Sequence, residues 1–279
     1  MVKSRFIDES FDTNDCQNYI LSIQCTLNGV HILVYNPVSN KFVALLDHEA
    51  IFAAPFELKN ELENFCKNEP VLGYNYKKVN VSFLDHRSVM IPDKIIGEQN
   101  FEELFYLTFD KKRDEVILKN TVIPSVTSLL FSFPGVIYRC VQSHFPTASF
   151  FATPLPVIQY GLKQKTAQPQ FLIFKFGDYM LICLMSDKKI HFFNHFYVKN
   201  NIDCLYYILS TAKKLNISST IEMKLIGKIE PQSELISSLK SYFEKVEFAR
   251  FRSNYLLSSS FPSMPEHYLL HHTELTLCE

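Results

Sequence analysis

Short apolar runs separated by polar turns occur twice along the chain. Residues 20–46 read ILSIQCTLNGVHILVYNPVSNKFVALL, and residues 171–194 read FLIFKFGDYMLICLMSDKKIHFFN. Runs rich in β-branched and aromatic residues, punctuated by Gly, Asn, Asp and Pro, are typical of strands joined by tight turns. Gly29 and Gly177 align between the first two runs of each copy. The pattern therefore predicts a duplicated three-stranded meander, with a tight turn at Gly177-Asp178.

Helical periodicity follows each meander. In the second copy, 201–214 places its larger apolar residues on one predicted stripe: Ile202, Leu205, Tyr206, Ile208 and Leu209. In the first copy, 57–67 is the equivalent helix. A strand at 221–227, a helix at 231–243 and a strand at 245–251 complete a β-β-β-α-β-α-β order in the C-terminal half.

The N-terminal half is longer and less regular. Its pattern predicts additional elements, which are strands at 78–84, 87–92, 114–123 and 148–154 and helices at 100–109, 134–145 and 155–165. The polar stretch 163–170 is the best candidate linker. We therefore predict an α/β protein of two domains, 1–165 and 166–279, the second with a C-terminal tail.

Composition and charge narrow the classes of function. The chain is 47% hydrophobic and 20% charged, with 28 basic and 29 acidic residues, a net charge of −1. This balance is globular, and the basic runs are dispersed, which argues against a nucleic-acid partner. The polar N-terminus predicts no secretory signal, and the apolar stretch 125–138 is too short and interrupted to span a bilayer.

Seven scattered cysteines form no CxxC pair, which favours a reducing compartment and a cytoplasmic location. Cys25 and Cys183 fall within predicted strands, where a free thiol behaves as a small hydrophobic side chain.

The motif search excludes several activities. Only seven glycines are present, and the closest two are 16 positions apart, so no Walker loop, GxGxxG or GxSxG motif can form. Asp85-His86-Arg87 and Asp47-His48-Glu49 are interpreted as a turn and a solvated strand exit. His191 and His195 are interpreted as core or surface residues of a strand.

The C-terminal tail contains three histidines, His267, His271 and His272. In a helix, His267 and His271 share a face with the spacing that can chelate Zn²⁺, but no further ligand is evident. We expect no metal.

The paired meanders, the strand 221–227 and the segment SFLDHRSVMIPDKII (82–96) together resemble the actin-like ATPase superfamily. More narrowly, the chain is similar to an uncharacterised bacterial family of that fold. The resemblance covers about residues 18–251. It implies two ribonuclease-H-like domains in an actin-like arrangement, facing each other across an interdomain cleft.

Active members of that superfamily carry Asp-x-Gly-x-x-Thr/Ser in the first turn of each meander. The acid helps to place the metal, and the backbone amides hold phosphate. Here the position two before the glycine is Leu27 in one copy and Lys175 in the other. The hydroxyl residue after the glycine is missing as well, with His31 and Met180 in its place.

The adenosine-contacting turn of the superfamily corresponds to 225–228, where one glycine remains. The resemblance thus leaves only degenerate loop positions as candidate cofactor-binding residues: Asn28, Gly29, Gly177, Asp178 and Gly227. Asp178 is the one acid within two residues of Gly29 or Gly177. We expect no catalytic residue and no cofactor.

Three functional hypotheses follow. The preferred one is a non-catalytic protein-interaction or scaffold module, a pseudoenzyme, because assembly proteins of bacterial pilus and secretion systems resemble this type and some bind a peptide in an interdomain groove. The alternative is a nucleotide-binding ATPase or a sugar-kinase-like phosphotransferase with degenerate loops. Nucleic-acid association is the third, and the charge balance disfavours it.

Overall fold

The computed structural model describes residues 4–97, 100–164, 168–251, 255–262 and 265–278. The strands in these ranges are β1 (Ser4–Ile7), β2 (Ile20–Thr26), β3 (Gly29–Asn36), β4 (Lys41–Glu49), β5 (Lys78–Phe83), β6 (Ser88–Pro92), β7 (Glu115–Val122), β8 (Thr127–Pro134), β9 (Ser149–Ala152), β10 (Gln170–Phe176), β11 (Tyr179–Ser186), β12 (Lys189–Tyr197), β13 (Glu222–Gly227), β14 (Lys245–Phe248) and β15 (Leu256–Leu257). The helices are α1 (Pro55–Asn68), α2 (Asp93–Ile96), α3 (Phe101–Tyr106), α4 (Gly135–His144), α5 (Pro154–Leu162), α6 (Asn201–Lys214), α7 (Glu234–Tyr242) and α8 (Glu266–Leu275).

Both predicted meanders are confirmed. The strands β2, β3 and β4 pair antiparallel in sequence, and β10, β11 and β12 do the same. Gly177 has a φ of 58°, which suits glycine in a two-residue hairpin turn. The predicted turn at Gly177-Asp178 is therefore a hairpin turn.

The two larger sheets share one strand order. The first sheet runs β1-β4-β3-β2-β5-β9, with β15 beside β4, and the second runs β12-β11-β10-β13-β14. In each sheet, the strand that follows the meander along the chain lies parallel to the first strand of the meander. β5 pairs with β2, and β13 pairs with β10. The β-β-β-α-β-α-β order predicted for the C-terminal half is confirmed, and the first sheet repeats it around an insertion.

The insertion between β5 and α4 forms a third sheet in the order β6-β8-β7. Its middle strand β8 was not predicted, because it lies in the apolar stretch 125–138. That stretch divides at Gly135 into a buried strand and the first turn of α4.

Helix α6 has the predicted bounds, and the predicted stripe is confirmed only in part: Ile208 is buried, and Leu205 and Leu209 are half-buried against the same core. Ile202 and Tyr206 are 77% and 63% exposed, so the predicted stripe is wrong at these positions. The buried face instead consists of smaller residues together with one isoleucine, namely Cys204, Ile208, Thr211 and Ala212. Cys204, Ile208 and Ala212 belong to one buried cluster with residues of the second sheet, which a pattern weighted towards large apolar residues does not capture.

The last helix returns to the first sheet. Asn80 of β5 donates from its side-chain amide to the Leu275 carbonyl at 2.8 Å, and α8 also packs against α5 and β13. One apolar core contains residues of both larger sheets together with α5 and α8, while a second lies between the second sheet and α6 and α7. Residues 165–167, which hold the predicted domain boundary and part of the linker, lie outside the described ranges.

Candidate functional site

The hairpin registers correct the predicted alignment of the two glycines. Thr26 pairs with Gly29, so Leu27 and Asn28 form the first turn, whereas Phe176 pairs with Tyr179 around Gly177-Asp178. Gly29 is therefore the first residue of β3, and Asn28 is the structural counterpart of Asp178. By this register the residues two before the turn are Cys25 and Lys175, so neither copy has an acid there.

The two turns lie against each other. A Cβ atom built on Gly177 would be 3.3 Å from Nδ2 of Asn28, which is a tight van der Waals contact. The structure thus brings together Asn28, Gly177 and Asp178, the candidate residues from opposite halves of the chain. It leaves Gly29 within the sheet, where a Cβ would lie 2.2 Å from the His48 carbonyl oxygen.

Gly227 serves close packing at the end of β13. Its φ is 92°, and a Cβ there would lie 2.0 Å from the Lys175 carbonyl oxygen. The next side chain, Lys228, forms an ion pair with Glu49 at 3.1 Å and lies over the Phe176 ring at 5.1 Å from its centroid. Gly227-Lys228 therefore joins the ends of the two sheets beside the turns.

We call the place where the ends of the two larger sheets meet, beside Gly227-Lys228, the junction. Aromatic rings fill the space next to it. Phe176 is buried, and its ring centroid lies 5.3 Å from that of His31 and 5.3 Å from that of His271. Nδ1 of His31 contacts Oδ1 of Asp47. The rings belong to β3, β10 and α8, so three elements distant in sequence meet at this point.

The interpretation of Asp47-His48-Glu49 as a solvated strand exit is wrong for His48 and holds for Glu49, which is exposed. These residues end β4: His48 is 7% exposed and lies 3.4 Å from Glu61, while half-buried Asp47 contacts His31. Glu49 makes the ion pair with Lys228. Asp47, His48 and Glu49 thus each contact a side chain of another element.

The tail histidines bind three separate acceptors. His267 lies 3.0 Å from the Ile229 carbonyl, His271 lies 2.7 Å from Oε1 of Gln24, and His272 lies 3.3 Å from the Ser22 carbonyl, in each case through Nε2. Burial lowers the pKa of His272 to about 3 and holds the pKa of His271 well below its usual range, so both rings are neutral near pH 7. Within the described ranges, His, Cys, Asp and Glu side chains form no group of three that could hold a metal ion.

Asp85-His86-Arg87 connects β5 to β6, as predicted for a turn. Arg87 is buried, and its guanidinium pairs with Glu115 at 3.0 Å and donates to the Asp110 carbonyl at 2.7 Å. The His86 ring lies 4.9 Å from the ring of Tyr179. This segment therefore ties the inserted sheet to the second meander, a role with no signal in the local sequence.

A groove of about 650 Å³ opens beside the two turns, and we call it the turn groove. It is bounded by both turns, the start of α1, the β5–β6 connection and the residues before β7. Asn28 also lines it, and its charged lining residues are Asp85, Lys112, Arg113, Asp114, Glu115 and Asp178. Its aromatic and aliphatic lining comes from Leu27, Phe52, Pro55, Phe56, Phe83, Leu84, Pro134 and Val136.

Solved structures with the same fold are similar to the chain over nearly its whole length. A protein from Bacteroides thetaiotaomicron VPI-5482 with an actin-like ATPase fold and unknown function is 22% identical, with a TM-score of 0.83 over 96% of this chain and 99% of that one. The PilM–PilN type IV pilus biogenesis complex has a TM-score of 0.62 at 10% identity, over 92% and 97%. The ethanolamine utilization protein EutJ from Carboxydothermus hydrogenoformans has a TM-score of 0.54 at 7% identity, over 98% and 93%.

Among curated proteins, a histidine–tRNA ligase from Malacoplasma penetrans (strain HF-2) is 29% identical over 199 residues. That match covers 66% of this chain but spans only 40% of the length of the ligase. In the part of the chain that the structure describes, no helix has the length and apolar character needed to cross a membrane.

A family model described as a protein of unknown function, DUF3822, matches residues 8–246. The predicted resemblance to an uncharacterised family with an actin-like ATPase fold is confirmed by this match and by the similar structures. Because the match spans most of the chain, this protein belongs to the DUF3822 family, whose function is unknown.

Proposed function

We propose that the protein is a non-catalytic protein-binding module, a pseudoenzyme on an actin-like fold that has lost nucleotide phosphate chemistry. The observation that carries the proposal is the closeness of the two turns, where a Cβ on Gly177 would lie 3.3 Å from Nδ2 of Asn28, together with Cys25 and Lys175 at the positions two before the turns. Phosphoryl transfer requires acids that place a divalent metal beside the phosphates. This pair of turns supplies none at those positions.

The packing next to the turns supports the proposal. The rings of His31, Phe176 and His271 fill the junction, and burial keeps the pKa of His271 far too low for it to carry a charge that could attract phosphate. The ion pair between Glu49, at the end of β4, and Lys228, just after β13, joins the first large sheet to the second. A nucleotide in this position would have to separate groups that now stabilise one another.

One of the similar structures is an example of this fold in a complex with a protein partner. PilM, in the PilM–PilN type IV pilus biogenesis complex, combines this fold with a protein partner. We extend that mode of action to this chain, and we place it in the bacterial cytoplasm with two domains that divide near residue 165. All seven cysteines are free thiols, which agrees with a reducing compartment.

The second candidate is a nucleotide-binding ATPase or a sugar-kinase-like phosphotransferase with degenerate loops. One observation favours it: Asp178 lines the turn groove next to Asn28, and Asp85, Asp114 and Glu115 line it as well, so several acids border the open volume. A metal held by one or more of these carboxylates together with substrate phosphates would be the minimum requirement for transfer.

Thermal unfolding with and without millimolar Mg-ATP separates the two candidates. A ligand at about 100 times its dissociation constant stabilises the native state by about 2.7 kcal/mol. Our proposal predicts the same unfolding midpoint with and without Mg-ATP. An increase in the wild-type midpoint that Asp178→Asn abolishes would overturn the proposal in favour of the nucleotide-binding candidate.

A further inference from the structure

A second groove separates two strand edges. The strand β6 ends one side of the three-stranded sheet, and β12 ends one side of the second large sheet, so each has a neighbour on one side only among the described strands. Both edges line one groove of about 480 Å³, with Ser88 to Pro92 on one side and Ile190 to His195 on the other. We call it the edge groove. Its volume lies in the range of about 300–1,000 Å³ usual for binding sites.

The alternation of backbone hydrogen bonds along each edge strand shows which backbone groups face this groove. Ser132 donates its backbone N–H to the Arg87 carbonyl at 3.1 Å, so in the register of β6 with β8 the odd-numbered residues face β8. In antiparallel pairs the bonded residues alternate, which directs the backbone groups of Ser88 and Met90 to the open edge.

The strand β12 also directs alternate backbone groups to its open edge. Val198 donates its N–H to the Asp178 carbonyl at 2.8 Å, so even-numbered residues near the end of β12 bond to β11. The backbone groups of Phe193 and His195 therefore face the open edge. Two sets of backbone donors and acceptors thus border one groove without a strand partner in the described ranges.

The lining of the edge groove restricts what can bind there. Of the described residues that line it, none is Asp, Glu, Lys or Arg, and the apolar share comes from Val89, Met90, Pro92, Phe109, Ile190, Phe192 and Phe193. A charged segment would lose hydration there without gaining a partner. A neutral segment with apolar side chains matches this lining.

Unpartnered polar atoms give a second, independent indication of a ligand. Ser88 is 4% exposed, and its Oγ has no hydrogen-bond partner among the described residues, nor has Nδ1 of His195. Both residues line the groove at the same end, next to the contact between His86 and His195. Buried polar atoms are rarely left unpaired in native proteins, and two more beside His195, Nε2 of His86 and the Tyr179 hydroxyl, have no partner among the described residues either.

We propose that the edge groove binds an extended, uncharged peptide segment of a partner protein as an added β-strand between β6 and β12. This inference rests on the proposed protein-binding function and assigns it a surface. The backbone of the segment pairs with Ser88 and Met90 on one side and with Phe193 and His195 on the other. Its side chains contact the apolar lining, so alternate positions determine specificity.

The test uses a display library of random linear peptides selected on the full chain. Each selected peptide is labelled with a fluorophore and titrated with wild type, Met90→Ala and Met90→Pro. Both variants lose the same side chain, but only proline removes the N–H that faces the groove, and proline is tolerated on a strand edge. We expect Met90→Ala to bind within about threefold of wild type and Met90→Pro to bind about tenfold more weakly, because a hydrogen bond is lost.

Amide hydrogen exchange of the wild type provides a readout that does not depend on the folding of Met90→Pro. Bound peptide should slow exchange at Ser88, Met90, Phe193 and His195 and leave β14, the opposite edge of the second large sheet, unchanged. Equal loss of affinity in the two variants, or no protection at these amides, would overturn the proposal. Peptides that bind elsewhere would overturn the edge groove but leave the protein-binding function standing.

Two further outcomes also refute the proposal. If the library yields no peptide that binds the chain, the edge groove is not a peptide site. If sedimentation shows a dimer that Met90→Pro dissociates, the edges pair between copies of this chain, and a second copy replaces the peptide as the occupant.

Discussion

Buried neutral histidines distinguish the junction between the two sheets. His271 and His272 lie on α8 against β2, and each Nε2 lies within hydrogen-bond distance of an oxygen of that strand, on Gln24 or Ser22. A buried imidazole with an oxygen partner adds polar specificity to an apolar core without adding charge. At acidic pH these histidines lower the stability of the folded protein, because their rings gain a proton readily only in the unfolded chain.

We predict that stability decreases steeply below neutral pH. The pKa of His272 is about 3 in the folded protein, and the usual value is about 6.5, so between these values the unfolded chain binds a proton that the folded chain does not. The stability that this histidine contributes is complete above about pH 6.5 and is lost as the pH falls towards 3, by about 1.4 kcal/mol per pH unit.

His272→Gln keeps a side-chain donor for the Ser22 carbonyl and removes the titration. Urea unfolding from about pH 7 to about pH 4 should show a shallower acid limb for this variant than for wild type. His191→Gln, at an exposed position on β12, is the matched control and should follow wild type. Parallel acid limbs for wild type and His272→Gln would refute the prediction.

At the scale of elements, α6 shows how the bounds of a helix can be predicted correctly and its buried face only in part. Its bounds follow from local signals, with Asn200 accepting from the Asp203 N–H at the start and Lys213 and Lys214 at the end. Which face is buried depends on the sheet below it. That information lies in residues distant in sequence.

Two matched substitutions test this orientation. Ile208 is 0% exposed and Ile202 is 77% exposed, on the same helix and with the same side chain. Ile208→Ala should cost about 2–5 kcal/mol, because it leaves a cavity between α6 and the sheet. Ile202→Ala should change stability by no more than about 0.5 kcal/mol. Chemical denaturation of both variants gives the comparison, and equal losses would contradict the described packing.

The inserted sheet depends on a buried charge pair. Arg87 and Glu115 pair between the start of β6 and the start of β7, and the guanidinium lies 5.4 Å and 5.1 Å from the ring centroids of Phe105 and Phe109. Removing one partner of such a pair leaves a charge without compensation in a buried site. The pair therefore fixes how β6 and β7 lie relative to α3.

Across the whole molecule, sequence patterns predicted what is local. Both meanders and the hairpin turn at Gly177-Asp178 follow from short-range alternation and turn residues. The strand β8 was missed, although the helix after it was predicted at 134–145, because β8 is buried along nearly its whole length and lacks a strict alternation of apolar and polar residues. The contact of Asn28 with Gly177 could not be predicted, since it joins positions from two different sheets.

The candidate site shows the same division. The absence of acids before the turns can be read from the sequence, and it holds for Cys25 and Lys175 after the register is corrected. The filling of the junction by Phe176, His31 and His271 depends on three elements meeting in space. The sequence therefore predicted which residue types are absent before the turns, but not which residues fill the junction.

The central claim is that the turns pack on each other and bind no nucleotide. Amide hydrogen exchange at residues 26–29 and 176–179, with and without millimolar Mg-ATP, tests it most directly. Our account predicts identical exchange at both turns in the two conditions. Protection that appears at both turns with Mg-ATP and is absent in Asp178→Asn would contradict this account and establish the turn groove as a nucleotide site.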